Sequence, residues 1–253
     1  PSATPQGVII HYHGGGWVLM TIDDYDTLGR FIAEETGCCV VLVEYRLAPE
    51  HRYPAAVEDA WLALNWAADQ SEALTGVIGA PLIVSGDSAG GNLAAVVAQR
   101  AARVGAPLLA QQVLIYPVTQ PDLNTPGYLD PANQGMLSQA DMVWFWDHYL
   151  PDATLRLEKD ASPLLAESLH GLPPTVLITA EHDVLRDEGE AYALRLEKAG
   201  VTVQWQRFAG QMHGFFTLLN ILPESLSARA YVVAAIRRRL QSLPPTPKPN
   251  ARS

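Results

Sequence analysis

The segment 82–92 constrains the fold of this 253-residue chain more than any other. An apolar run, Leu-Ile-Val-Ser, is followed by Gly-Asp-Ser-Ala-Gly at 86–90 and then by an alanine-rich stretch. The apolar run predicts a buried strand, and the alanine-rich stretch predicts a helix. Because glycine has no Cβ atom, Gly86 and Gly90 permit a sharp turn between the two elements. The hydroxyl of Ser88 would then project at the start of the helix.

The same alternation of strand and helix extends over most of the chain. Apolar, β-branched runs predict strands at 8–13, 38–44, 81–85, 111–116, 175–180 and 201–208. Amphipathic segments predict helices at 24–35, 55–68, 89–103, 185–199 and 224–240. Strands that alternate with helices build a mostly parallel sheet with helices on both faces. We therefore predict an α/β fold in a single domain over residues 1–253.

Residues 119–172 interrupt this alternation, because they contain no predicted strand. Within them Ser138 and Asp141 have the spacing of a capping box at the start of a helix over 138–150. Long insertions between strands are usually functional, so we interpret 119–172 as a cap or lid. The alternative is a helical hairpin that packs on the surface for stability alone. The proline-rich tail 244–253 is predicted to be flexible.

Charge and cysteine content exclude several classes of protein. The net charge of −10 disfavours a nucleic-acid partner and attachment to anionic membranes. The two cysteines, Cys38 and Cys39, are adjacent, which excludes a disulfide scaffold and a cysteine-rich zinc module. No apolar run approaches the ~20 residues that span a bilayer. The N-terminal residues lack the pattern of a signal peptide, so we expect a cytoplasmic location.

Three consecutive glycines follow His13 at the end of the first predicted strand. Such residues let backbone N–H groups approach a substrate closely, and fixed N–H donors stabilise the oxyanion that forms when a carbonyl is attacked. We predict the N–H groups of Gly15 and Gly16, together with that of Ala89, as these donors. A flexible loop and a phosphate-binding loop are the alternatives. The latter lacks the Gly-Lys-Ser/Thr ending, and no GxGxxG occurs in the chain.

A nucleophilic serine needs a base, and the base needs a partner that orients it. After a strand–turn–helix nucleophile, the expected chain order is serine, acid, histidine. His213 lies in a glycine-bounded loop after the last predicted strand, so it is the candidate base. Asp183 follows the preceding strand and is the candidate acid. The competing candidates are His182 for the base, and Glu181 and Asp187 for the acid.

Taken together, these motifs resemble the hormone-sensitive-lipase-like esterases, the bacterial family IV carboxylesterases. The matching segments are His-Gly-Gly-Gly-Trp at 13–17, Tyr-Arg-Leu-Ala-Pro-Glu-His at 45–51, Tyr-Pro-Ala-Ala at 53–56, Gly-Asp-Ser-Ala-Gly-Gly at 86–91, the acid motif at 183–189 and His-Gly-Phe at 213–215. The resemblance covers nearly the whole chain and implies an α/β-hydrolase fold with a helical cap. It implies Ser88 as nucleophile, Asp183 as acid and His213 as base. It also implies Gly15, Gly16 and Ala89 as oxyanion donors, with no metal or organic cofactor.

The resemblance further implies a carboxylesterase for small-molecule esters with short to medium acyl chains. We predict that Trp17, Trp144 and Phe145 contact the substrate. His13 is expected to position the glycine loop, with Arg46 and Glu50 bracing it through polar contacts. A homodimer is a further expectation from the family.

One departure from the family lies at the front of the chain. Family members have a longer segment before the glycine motif, which here begins at residue 13. We therefore expect that an N-terminal cap and the first strands are missing, which would leave the strand at 38–44 as an exposed edge. Other interpretations stay open: a long-chain lipase, an amidase, deacetylase or peptidase with the same triad, or a non-catalytic receptor for a small ligand. The presence of His213 argues against the receptor.

Overall fold

The computed structural model describes residues 4–219 and 221–244. The strands are β1 (Val8–Tyr12), β2 (Cys39–Val43), β3 (Leu82–Asp87), β4 (Leu109–Ile115), β5 (Thr175–His182) and β6 (Val203–Met212). The helices are α1 (Ile22–Thr36), α2 (Ala55–Asp69), α3 (Ser71–Thr75), α4 (Ala89–Val104), α5 (Pro126–Leu129), α6 (Gln139–Tyr149), α7 (Arg186–Lys198) and α8 (Pro223–Ser242). Short 3₁₀ turns lie at Pro131–Asn133, Leu155–Leu157, Pro163–Leu165 and Phe215–Thr217.

The six strands of the described residues form one sheet in the order β2-β1-β3-β4-β5-β6. All five pairings are parallel, so the carboxyl ends of the strands lie at one edge. From β1 the chain moves outward to β2, then returns to the other side of β1 and continues outward through β3 to β6. In open parallel sheets, ligands bind at the carboxyl edge where the strand order reverses. That point lies between β1 and β3.

Each face of the sheet is covered by its own hydrophobic core, because alternate residues of a strand point to opposite faces. Val8, Ile10 and Tyr12 of β1 pack on the side that carries α2, α4 and α7. Ile9, between them in sequence, packs on the side that carries α1 and α8. The predicted sheet with helices on both faces is therefore confirmed.

The predicted elements agree with the structure to within a few residues at each end. The largest difference is at β6, whose last residues extend toward the carboxyl edge as far as Met212. No strand lies within 119–172, which holds α5 and α6. Both cysteines are free. Of the predicted tail, residues 245–253 lie outside the described part of the chain.

Strand β2 lies at the edge of the sheet, as expected for the segment 38–44. Within the described residues it pairs with β1 alone, through a register that runs from Val8 opposite Cys39 to Tyr12 opposite Val43. Its side chains are half-buried except for Val43, which is buried.

Candidate active site

Ser88 occupies the predicted sharp turn between β3 and α4. Its backbone has φ 55° and ψ −120°, in a region that non-glycine residues rarely adopt. A Cβ atom at Gly90 would collide with the backbone oxygen of Tyr12, and one at Gly86 would collide with Gly90 itself. The two glycines therefore allow the turn to lie directly against the end of β1. The strain at Ser88 is of the kind that surrounding structure maintains at functional sites.

Three side chains from three different strand ends form a hydrogen-bonded chain at this turn. The Oγ atom of Ser88 lies 2.9 Å from Nε2 of His213, and Nδ1 of His213 lies 2.8 Å from Oδ2 of Asp183. Because a carboxylate only accepts, Nδ1 carries the proton and the lone pair of Nε2 faces the hydroxyl of Ser88. This is the tautomer in which His213 can take the proton of Ser88.

The surroundings of Asp183 orient its carboxylate toward His213. The side chain is 0% exposed, and its second oxygen, Oδ1, accepts a hydrogen bond from the backbone N–H of Leu185 at 2.9 Å. His213 lies just beyond β6, followed by Gly214 at φ 80°, and its ring lies 4.5 Å from that of Tyr116. Leu185 thus holds Asp183 on one side of the hydrogen bond between Asp183 and His213, and the ring of Tyr116 packs against His213 on the other.

The competing candidates are bound elsewhere. The backbone N–H of Gly210 donates to Glu181, and that of Gly127 donates to Asp187. Nε2 of His182 lies 3.9 Å from the carboxylate of Glu181. Of the three carboxylates considered, Asp183 is the one hydrogen-bonded to His213.

The glycine loop at 13–17 has a backbone conformation that leaves N–H groups without backbone acceptors in the described part of the chain. Gly15 and Gly16 adopt φ values of 103° and 61°, which favour glycine. No backbone carbonyl of the described residues accepts from the N–H groups of Gly15, Gly16 or Ala89. Gly15 and Gly16 line the same cavity as Ser88 and His213. These three N–H groups thus have no backbone acceptor in the described residues, and Ala89 is the residue that directly follows Ser88.

His13 and Tyr45 hold the loop from behind. Nδ1–H of His13 donates to the carbonyl of Gly14 at 2.7 Å, and its ring stacks on Tyr45 at 4.3 Å. The hydroxyl of Tyr45 donates in turn to the carbonyl of His13 at 2.8 Å. Burial lowers the pKa of His13, so its ring is neutral at neutral pH. His13 is thus placed to position the loop, as predicted.

The expected brace from Arg46 and Glu50 is absent from the structure. Arg46 forms a bidentate ion pair with Asp59 on α2, and Glu50 is exposed. Tyr45 points toward the loop instead, because adjacent residues of extended chain face opposite sides. The segment 45–51 does support the loop, but through its buried aromatic residue.

A cavity of about 490 Å³ lies over Ser88, within the usual ~300–1,000 Å³ of small-molecule sites. The cap segment supplies its outer wall through residues of α6 and the turn before it. The lining residues from this segment are Met136, Leu137, Asp141, Trp144 and Phe145. A Cβ atom at Gly16 would collide with the ring of Phe145, so α6 packs directly onto the glycine loop.

Trp144 and Phe145 are therefore on the cavity wall, but Trp17 is not. Trp17 is 0% exposed and its ring stacks on Tyr149 at 4.3 Å, beside Trp146. Trp17 adopts a positive φ of 62°, and its ring packs against α6 rather than in the cavity. The structure thus contradicts substrate contact by Trp17 and gives it a different role, joining the cap to the body.

The family profile for the alpha/beta hydrolase fold matches residues 9–217. The chain belongs to the α/β-hydrolase family. The carboxylesterase NlhH of Mycobacterium tuberculosis is 39% identical to this hydrolase over 238 residues, covering 93% of this chain and 74% of that protein. The ethyl acetate hydrolase of Pseudomonas putida is 37% identical over 241 residues, covering 94% and 75%.

The structures of known esterases agree with these relatives. The hydrolase superimposes on an esterase of the archaeon Pyrobaculum calidifontis with a TM-score of 0.89 and 40% identity, covering 94% of this chain and 78% of that one. The predicted resemblance to carboxylesterases and the predicted α/β-hydrolase fold are therefore confirmed.

Within residues 4–219 and 221–244, no group of three or more histidine, cysteine, aspartate or glutamate side chains is placed to hold a metal ion. In the same part of the hydrolase, no helix has both the length and the apolar character needed to cross a bilayer.

Glu188, which the sequence did not single out for a role, fastens the cap to the first turn of α7. The oxygens of its carboxyl group accept from the backbone N–H of Thr119 at 2.6 Å and from the hydroxyl of Tyr128 at 3.2 Å. Burial raises the pKa of Glu188 to about 8, although the N–H groups of Thr119 and Gln120 oppose that shift. The carboxyl group therefore binds its proton more tightly in the folded chain than in the unfolded one.

This pKa shift predicts that Glu188 makes stability fall as the pH rises. The unfolded value is near 4.5 and the folded value about 8, so unfolding releases a proton between them. We expect the free energy of unfolding, relative to that of Glu188→Gln, to fall by up to about 1.4 kcal/mol per pH unit over this range. Urea unfolding of both chains from pH 5 to pH 8 measures the difference. A difference that stays constant with pH would contradict the shift.

Proposed function

We propose that this hydrolase cleaves carboxylic esters with short to medium acyl chains through Ser88, His213 and Asp183. The observation that carries the proposal is the hydrogen-bonded chain from Ser88 through His213 to buried Asp183, at a cavity lined by unoccupied backbone donors. A nucleophile, a base and an orienting acid in this geometry form the catalytic triad of serine hydrolases.

In the first step Oγ of Ser88 attacks the ester carbonyl while Nε2 of His213 takes its proton. The buried carboxylate of Asp183 stabilises the imidazolium that forms and keeps the ring in position. His213 then gives the proton to the departing alcohol, which leaves an acyl group on Ser88. In the second step water attacks that group while His213 takes a proton from the water. His213 then returns the proton to Oγ of Ser88 as the bond between Oγ and the acyl carbon breaks, and the carboxylic acid leaves.

The N–H groups of Gly15, Gly16 and Ala89 stabilise the oxyanion in both steps. Loss of one such donor typically costs about 3–4 kcal/mol of transition-state stabilisation. Ala89 also begins α4, so the positive end of the helix dipole favours the same negative charge. These groups act without metal or organic cofactor.

The cavity supports the proposed substrate class. Its volume is about 490 Å³, and four of its five cap residues are apolar, Asp141 being the exception: Met136, Leu137, Trp144 and Phe145. Such a wall suits an uncharged acyl chain of limited length. The name of the Pseudomonas putida relative, an ethyl acetate hydrolase, supports the same class.

Labelling and kinetics together test this function. We expect a diethyl phosphate ester with a good leaving group to inactivate the chain and to leave a phosphoryl group on the peptide that contains Ser88, detected by mass spectrometry. We expect p-nitrophenyl acetate to hexanoate to be hydrolysed faster than the palmitate ester by roughly tenfold or more. An active chain that prefers p-nitroacetanilide would favour the amidase, and a correctly folded chain that is inert to every ester would contradict the proposal.

A homodimer, which the family resemblance implies, and a cytoplasmic location both stay predictions. Light scattering of the purified protein checks the first, and fractionation of the source cells checks the second.

A further inference from the structure

The proposed oxyanion site is assembled from two segments that are far apart in sequence, the glycine loop at 13–17 and the start of α4. Donors from both segments stabilise one oxygen only when the spacing between the segments is held to within a fraction of an ångström. The loop has no regular secondary structure to provide that spacing. A side chain that touches both segments would provide it.

The hydroxyl of Tyr25 is such a contact. Tyr25 lies in the first turn of α1, and its Oη donates to Oδ2 of Asp87 at 2.8 Å while accepting from the N–H of Gly14 at 2.9 Å. Asp87 immediately precedes Ser88, and Gly14 immediately precedes Gly15. One oxygen atom therefore joins the residue before Gly15 to the residue before the nucleophile, which lies two positions ahead of Ala89.

We call the two hydrogen bonds that join Asp87, the hydroxyl of Tyr25 and Gly14 the bridge. The bridge is buried, and its phenol stays protonated. Tyr25 is 6% exposed and Asp87 is 3% exposed. Burial, together with the neighbouring Asp87, raises the pKa of Tyr25 far above its usual value. The phenol therefore keeps its proton and remains a donor to Asp87 at any pH at which the hydrolase works.

The far side of the bridge is attached to the sheet. Asp87 is the last residue of β3, and its Oδ1 lies beside Nε2 of His11 on β1 at 3.6 Å, which is longer than a hydrogen bond. The near side has no spare room, since a Cβ atom at Gly14 would lie 2.6 Å from Oδ2 of Asp87 and 2.9 Å from Oη of Tyr25. The loop therefore rests directly on the bridge.

We propose that Tyr25 is a positioning residue for the oxyanion site, whose hydroxyl sets the spacing between the N–H groups of Gly15 and Gly16 and that of Ala89. The inference rests on the proposed function. Tyr25 acts through the backbone of Gly14 and through Asp87, and it takes no part in proton transfer. Tyr25 also lines the cavity, but its hydroxyl is hydrogen-bonded to Gly14 and Asp87, so we expect its removal to affect the transition state rather than the ground-state binding of the ester.

The variant Tyr25→Phe removes the hydroxyl and keeps the ring. We expect kcat to fall about ten- to a hundredfold, less than or comparable with the loss of one direct donor, while KM stays nearly unchanged. The inhibition constant of a trifluoromethyl ketone, which forms an oxyanion with the serine, should rise by the same factor. The pH dependence of kcat should not shift, because His213 and Asp183 are untouched.

Tyr192→Phe is the matched control. Tyr192 is also fully buried and loses one hydrogen bond, from Nε2 of Gln99 at 3.0 Å, but it lies on α7 away from the cavity. We expect its kcat to equal that of the natural chain, with a comparable drop in melting temperature. A Tyr25→Phe chain with the kinetics of this control would overturn the inference, and so would one in which KM rises while kcat is unchanged.

A second variant, Gly14→Ala, pushes the bridge apart without removing either partner. It should show the same selective loss of kcat, and combining it with Tyr25→Phe should add little, because both changes disrupt one contact. If Tyr25→Phe does not fold, the kcat of Gly14→Ala is the test. A Gly14→Ala chain with the kcat of the natural chain would overturn the inference. An inert natural chain would instead contradict the proposed function, and this inference with it.

Discussion

Replacing Ser88 by alanine is expected to lower kcat for ester hydrolysis by about 10⁶-fold, the typical loss when a triad serine is removed. The variant keeps the backbone of the turn, since alanine and serine share the same Cβ atom. It removes the oxygen that lies 2.9 Å from Nε2 of His213, and no acyl-enzyme can form. Only the weak stabilisation of direct water attack by the oxyanion donors would remain.

Hydrolysis of p-nitrophenyl butyrate, corrected for the spontaneous reaction, measures this loss. Ser162→Ala serves as the control, because Ser162 is also buried and its hydroxyl donates one hydrogen bond, to the carbonyl of Arg156 at 2.6 Å. Its rate should match that of the natural chain. Equal rates for the two variants would exclude Ser88 as the nucleophile.

The second large effect is expected from Asp183→Asn, which should lower kcat by about 10⁴-fold with little change in KM. The N–H of Leu185 donates to Oδ1 of Asp183, so the carbonyl of an asparagine would face Leu185 and its amide nitrogen would face His213. An amide nitrogen donates, and it would force the proton of His213 onto Nε2. His213 would then have no lone pair for the proton of Ser88.

Steady-state kinetics of Asp183→Asn beside Asp187→Asn tests this assignment. Asp187 is a neighbouring carboxylate that accepts from the N–H of Gly127 and pairs with Arg186. Its amide variant should lose far less activity, because it has no hydrogen bond to His213. The acid is misassigned if Asp187→Asn or Glu181→Gln costs as much as Asp183→Asn.

The elements that carry the site could be predicted because their signals are local in sequence. The apolar run before Ser88, the two glycines around it and the alanine-rich stretch after it define β3, the turn and α4 over about twenty residues. The capping box at Ser138 and Asp141 likewise starts α6 where predicted. Local backbone preferences and side-chain capping decide such features, so a short window of sequence is enough.

Side chains whose role depends on a distant partner could not be assigned in this way. Trp17 belongs to the glycine motif, yet it faces the core because Tyr149 of α6 packs over it. Arg46 forms its ion pair with Asp59 of α2 rather than with the loop. Tyr25 carried no signal at all, since nothing near it in sequence indicates Asp87. In each case the deciding contact joins residues more than ten positions apart.

The order of strands and helices, the turn at Ser88, and the candidate residues Asp183 and His213 could all be predicted from the residues alone. Those features depend on local periodicity, on glycine at sharp turns and on motifs after strand ends. Tertiary structure decided which of the nearby carboxylates meets His213, which aromatic side chains face the cavity, and how Tyr25 joins the two halves of the oxyanion site. These depend on strand order and helix packing, because a parallel sheet brings distant strand ends to one edge and the covering helices choose which side chains remain open there.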